Sequence, residues 1–125
     1  MSPVERARAL IGTRFRPQGR SVDFGLDCIG LIAIAYRLPS ERLPTRYRLR
    51  GDHGSAVIAG LRTCFRPVRK GMHGDLLLVM AGREQFHLAV KTDIGFIHAD
   101  ARHGVIETPG DPPWPLLCAF RRRAR

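Results

Sequence analysis

Cys28, His87 and His98 are the residues of this chain whose types and placement suit nucleophilic chemistry. Cys28 stands at the mouth of the most apolar run, Asp27-Cys28-Ile29-Gly30-Leu31-Ile32-Ala33-Ile34-Ala35-Tyr36. Aspartate caps helices well, so Asp27 puts Cys28 at or near the first helical position. The unpaired N–H groups there, and the positive end of the helix dipole, favour thiolate over thiol. Catalytic cysteines at such positions have pKa values of roughly 3.5–7.5, against about 8.5 for a free one. The alternative reading of Cys28 is a small buried hydrophobe, as most free cysteines are.

The segment Gln85-Phe86-His87-Leu88-Ala89-Val90-Lys91 alternates, with Phe86, Leu88 and Val90 on one face and His87 and Ala89 on the other. Ile94-Gly95-Phe96-Ile97-His98-Ala99 reads as the next strand. With Thr92-Asp93 as a two-residue hairpin loop, Lys91 pairs with Ile94 and His87 stands directly opposite His98. Opposed residues share a face, with Cβ atoms roughly 4.5–5.5 Å apart. Thr-Asp is not the preferred pair for such a loop. In the functional reading, His87 takes the proton of Cys28 and His98 orients His87 through its other nitrogen. Two alternatives stay open: half-exposed strand histidines, or a zinc site with Cys28 as a further ligand. His53, His73 and His103 show no partner in the sequence and read as surface residues.

These side chains need a scaffold. Ser2-Pro3-Val4-Glu5 is a capping box with proline in the first turn. Val4, Ala7, Leu10 and Ile11 recur at helical spacing, and Gly12 ends the element. Thr13 to Leu26 has loop chemistry and leads to Cys28, so Phe15 and Gln18 are candidates to line the site. Beyond the Cys28 helix, Pro39 and Pro44 break the pattern and the chain is basic to Arg50. Asp52 would cap a third helix holding Ala56, Val57, Ile58, Ala59 and Leu61, which ends near Cys64 and is followed by Pro67. The second half changes period. Leu76–Met80, Gln85–Lys91, Ile94–Ala99 and Gly104–Thr108 read as strands, and Leu116–Phe120 closes the sheet after the proline-rich link Pro109–Pro115. The expected fold is α+β, one domain over residues 1–125, with N-terminal helices packed on one face of a C-terminal antiparallel meander.

Bulk properties narrow the function classes. The chain has 125 residues, with 21 Lys and Arg against 11 Asp and Glu, a net charge of +10. Such a surface draws polyanions or acidic partners, yet no sequence signature of nucleic-acid recognition accompanies it. Only Arg121-Arg122-Arg123-Ala124-Arg125 is a true cluster, and it reads as a solvated end. Three widely spaced cysteines (28, 64, 118) argue against a disulfide framework, leaving one Cys64–Cys118 bridge open. No signal peptide is visible, and no run approaches the roughly 18 apolar residues of a membrane span. Synthesis in the cytoplasm is expected.

The chain resembles the NlpC/P60 cysteine peptidases. The resemblance rests on Ile11-Gly12-Thr13-Arg14-Phe15, Asp27-Cys28-Ile29-Gly30-Leu31, Gly74-Asp75-Leu76-Leu77, His87-Leu88-Ala89-Val90, Phe96-Ile97-His98-Ala99 and Gly104-Val105, in this order. It implies a papain-like α+β fold, with Cys28 as nucleophile, His87 as base and His98 as the residue orienting the base. It implies cleavage of peptide bonds in peptidoglycan stem peptides, with no cofactor and no metal. Many members have tyrosine where this chain has Phe15, so a hydroxyl available to substrate is missing here. The short form, with its Arg14-Phe15-Arg16-Pro17-Gln18-Gly19-Arg20 loop, is similar to phage-tail and gene-transfer-agent members. That implies a tail or baseplate partner and action at the cell wall. Two other classes remain: a tail-assembly or adaptor subunit of low or no activity, and an acyltransferase or amidase built on the same three residues.

Overall fold

Local capping chemistry starts the chain as expected. Helix α1 (Pro3–Ala9) is capped by Ser2, whose Oγ accepts the Glu5 N–H while the Glu5 carboxylate accepts the Ser2 N–H. The computed structural model describes residues 1–39, 53–83 and 85–124. Helix α1 turns Val4 and Ala7 inward and packs on α2 (Cys28–Ala35). Arg8, on its outer side, forks onto the Glu107 carboxylate at 3.0 and 2.9 Å, tying the helix to the far edge of the sheet. Helix α2 is apolar nearly all round, and six of its eight residues are buried, which holds its first residue rigidly.

The loop between these helices contains a minimal hairpin, β1 (Arg20–Ser21) with β2 (Gly25–Leu26). Helix α3 (His53–Arg62) buries Val57 and Leu61; the expected cap Asp52 lies outside the described residues. It leads into β3 (Phe65–Val68), a strand that the sequence reading missed because Pro67 reads as a breaker. Proline is tolerated there because β3 is an edge strand, where a missing N–H leaves no gap in the ladder. Next come β4 (Leu76–Gly82), β5 (Gln85–Lys91), β6 (Gly95–Asp100), β7 (Gly104–Pro109) and β8 (Leu116–Arg122).

The result is an α+β fold around a six-stranded antiparallel sheet in the order β3-β8-β4-β5-β6-β7. The expected meander holds from β4 to β7 only. β8 then returns across the sheet to lie between β3 and β4. The strand faces sort into two cores. Leu76, Leu78, Leu88, Val90, Ile97 and Phe120 meet the helices, whereas Leu77, Ala89, Phe96 and Ala119 form a second cluster with Val68 and Trp114. Apolar residues on both faces explain why β4 reads as an unbroken hydrophobic run. Among the described residues no helix is long and apolar enough to cross a membrane.

Among the described residues, Arg121, Arg122 and Arg123 are not a solvated end. β8 extends two residues past its expected end, and Arg121, Arg122 and Arg123 all find partners in the fold. Arg121 donates from Nε and an Nη atom to the two Asp75 oxygens at 3.0 and 2.8 Å. Asp75 also accepts the Met72 N–H at 2.8 Å, and its side chain is only 4% exposed. Arg122 donates to the Cys64 carbonyl at 3.0 Å, and Arg123 to the Arg62 carbonyl at 3.2 Å. The Gly74-Asp75 motif is therefore an anchor: Asp75 locks the entry of β4 to β8, and the Tyr36 hydroxyl donates to the Gly74 carbonyl at 2.9 Å. Arg121→Ala leaves a buried carboxylate with one backbone donor. It is expected to lower the urea unfolding midpoint.

Candidate active site

Three local devices deliver Cys28 to the wall of a cleft. Asp27 adopts extended backbone, and its Oδ1 accepts the Gly30 N–H at 2.9 Å, the expected cap. Its Oδ2 accepts the Gln18 N–H at 2.8 Å, so the same carboxylate also pins the preceding loop. Gly30 sits directly under that loop: a Cβ there would collide with the Gly19 carbonyl oxygen, and a Cβ on Gly19 would collide with the Gly25 oxygen. The glycine two residues after Cys28 is thus dictated by a close backbone crossing. Phe15 is held beside Leu26 in a short parallel bridge, flanked by Arg16 N–H to Leu26 and Leu26 N–H to Arg14 bonds. Gln18 takes a positive φ of 57°.

The imidazoles meet, but not in the expected register. The β5–β6 ladder pairs Lys91 with Phe96 and Val90 with Ile97, two residues away from the expected Lys91–Ile94 pairing. The reason is the turn. Thr92 donates its N–H to the Gly95 carbonyl and accepts the Ile94 and Gly95 N–H groups on Oγ1, closing a four-residue loop. A shift by two keeps every side chain on its face, so His87 and His98 become diagonal neighbours. His87 Nε2 and His98 Nδ1 are 2.9 Å apart, with the rings nearly perpendicular at 89°.

These rings lie on the sheet face away from the helices, with Phe96 and Trp114, whereas Cys28 belongs to the helix-side core. The two sides meet where the β5–β6 ladder stops after its two pairs. A cleft of ≈ 330 Å³ opens there, with Cys28, His87, His98, Phe15 and Gln18 all on its walls. Sequence reasoning named these five. It did not find Trp114, which stands edge-on to both imidazoles at 5.5 and 5.6 Å between ring centres. A single tryptophan inside a proline-rich link was the available signal. It also missed the role of His103, which bonds Asp100 at 2.8 Å. His73 lies 3.8 Å from Asp93. The side chain of His53 is outside the described residues.

The electrostatics reverse one expectation. Cys28 is only 2% exposed. Burial pushes its thiol up to about 12, the adjacent Asp27 carboxylate adds to this, and the N–H groups of Leu88, Ile29 and Cys28 itself oppose it. The helix start does act on the sulfur, but desolvation of a thiolate outweighs it. The resting form is the thiol. His87 is held down at about 4 by burial and by His98, with Asp100 pulling the other way; burial also lowers His98. At neutral pH the site therefore holds a thiol and two neutral imidazoles. Among the described residues no hydrogen bond joins Cys28 to His87.

The metal alternative finds no geometry among the described residues. His87 Nε2 and His98 Nδ1 are bonded to each other, and no three described His, Cys, Asp or Glu side chains gather as ligands. The three cysteines are free, so the Cys64–Cys118 bridge does not form.

Gly30→Ala is expected to push the segment Arg16-Pro17-Gln18-Gly19 off the start of α2. The loss of about 1–3 kcal/mol would show in thermal or urea unfolding. A pH effect on stability follows from His87. Its folded value lies below the ordinary 6.5, so the fold prefers the neutral ring. The stability this contributes is complete above about 6.5 and drains away as pH falls toward about 4. Urea midpoints measured between about pH 7 and pH 4.5 are expected to fall, and to fall less steeply in His87→Asn.

No model of a known protein family matches this chain, and no curated protein matches it either, so the geometry of the cleft carries the functional reading.

Proposed function

We propose that the cleft is the active site of a cysteine peptidase that cleaves peptidoglycan stem peptides. The observation that carries this reading is the direct His87–His98 bond, made on the wall of the same cleft that holds Cys28. That bond uses Nε2 of His87 and leaves Nδ1 for proton transfer. The useful tautomer has His87 donating its Nε2 proton to His98 Nδ1, which leaves His87 Nδ1 as a base. The resemblance in the motifs supports the same assignment: a papain-like NlpC/P60 fold, Cys28 as nucleophile, His87 as base and His98 as its orienting residue.

The chemistry starts from a neutral pair rather than a preformed ion pair. The Cys28 proton moves to His87 Nδ1 as the sulfur attacks the amide carbonyl, forming the C–S bond and an oxyanion. The Asp27 carboxylate occupies the Gly30 N–H, so the remaining N–H groups at the start of α2 are the ones available to the oxyanion. His87 then protonates the leaving amine as the C–N bond breaks. Water attacks the thioester, gives its proton to His87, and the sulfur recovers it as the C–S bond breaks. Phe15 and Gln18, on the walls of the same cleft, are the substrate contacts in this reading. The +10 charge suits an acidic tail or baseplate partner, which would carry the domain to the wall.

The second reading is a tail-assembly or adaptor subunit of low activity. The covering of Cys28, which leaves its sulfur protonated, favours it. Purified protein on cell-wall muropeptides separates the two. The peptidase reading expects product peptides, with Cys28→Ala and His87→Ala each lowering turnover about 10²–10⁴-fold or more. It also expects kcat/KM to stay flat above neutrality and to fall only as His87 gains a proton, with an acid limb near its value of about 4. No turnover by the native protein, or turnover indifferent to Cys28→Ala, sinks it.

A further inference from the structure

The cleft carries a charge pattern unlike the rest of the chain. Against 21 Lys and Arg in the sequence, none lines the cleft among the described residues, and its charged walls are Asp27 and Asp100. Asp27 is committed to Gln18 and Gly30. Asp100 is differently placed. It follows His98 by two residues on β6, so Phe96, His98 and Asp100 share the face that carries the imidazole pair. Its Oδ2 accepts the Arg102 and His103 N–H groups at 2.9 and 2.8 Å and bonds His103 Nδ1 at 2.8 Å. All three bonds fall on one oxygen, so the turn after β6 fixes the carboxylate beside the cleft while Oδ1 takes none of them.

Building on the peptidase reading, we infer that Asp100 is a positioning residue for the proton-transfer step. Its carboxylate, tied by His103, stabilises the imidazolium that His87 becomes on taking the Cys28 proton. The proton leaves sulfur, rests on His87 Nδ1 and goes on to the leaving amine; no oxidant or further reactant is needed. The titratable groups that share the cleft with His87 are His98 and Asp100 from β6 and Asp27 and Cys28 at the start of α2, while Arg102 and His103 of the following turn bond Asp100. The neighbouring strand β4 offers Val79, which has no charge. Asp100 draws both imidazoles toward protonation, against their burial.

Asp100→Asn tests this directly, because asparagine keeps an oxygen for the two backbone donors and removes only the charge. Trp114 is the single tryptophan of the chain and touches both rings, and a protonated imidazole quenches a neighbouring indole. Its emission therefore reports the protonation of the pair without any substrate. Asp100→Asn is expected to move the acid quenching midpoint down by about 0.5–1 pH unit and to lower kcat up to about tenfold, with KM within about twofold. His103→Gln, which spares the carboxylate, is expected to shift both in the same direction by less. An unmoved midpoint overturns the inference whether or not the protein hydrolyses anything. A raised KM with kcat intact also overturns it, since Asp100 would then be holding a cationic group of the substrate. A shifted midpoint in a protein without turnover overturns the peptidase reading alone.

Discussion

The hairpin between β5 and β6 is closed by Thr92, whose hydroxyl accepts two backbone N–H groups and so makes the loop four residues long. Gly95 must be glycine in it, because a Cβ would run into the Thr108 carbonyl. This one turn sets where His87 and His98 fall. An odd slip would have sent one ring to the helix-side core; the even shift leaves both on the same face and brings them together diagonally. The ladder then ends after two residue pairs, and the cleft opens at that point. Register, imidazole contact and access to the site all trace back to the same loop.

On the other wall, helix-start chemistry competes with burial. The Asp27 cap does what such a cap should, fastening α2 and the loop before it in one stroke. Yet the cap is itself an anion beside the sulfur, and α2 is sunk into the core. Desolvation is the larger effect, and the Cys28 thiol moves up rather than down. The imidazoles move the opposite way for the same reason, since burial penalises whichever form carries charge. At neutral pH the cleft therefore holds an uncharged thiol on one wall and two uncharged imidazoles on the other.

The distribution of charge is the third organising feature. Several arginines are structural fasteners: Arg8 to Glu107, Arg121 to Asp75, Arg122 and Arg123 to carbonyls beside β3. Among the described residues the cationic surplus is kept out of the cleft, where cations would oppose protonation of His87.

Much of this was legible in the sequence, because it is written locally. The capping box of α1, the Asp27 cap, the apolar α2, the alternation of β5 and the switch from helical to strand period depend on neighbours a few residues apart. Phe15, Gln18, Cys28, His87 and His98 were named from such signals, and the cleft gathers them. What the sequence left open depended on contacts between distant segments. Pro67 fits a strand only because β3 lies at an edge, and Arg121 is a fastener only because β8 returns beside β4 to meet Asp75. Trp114 reaches the imidazoles because its link folds over the second face of the sheet. The state of the Cys28 sulfur was likewise undecidable from its own helix. The dipole and cap belong to the local sequence, but the burial that overrides them is a property of the whole packed core.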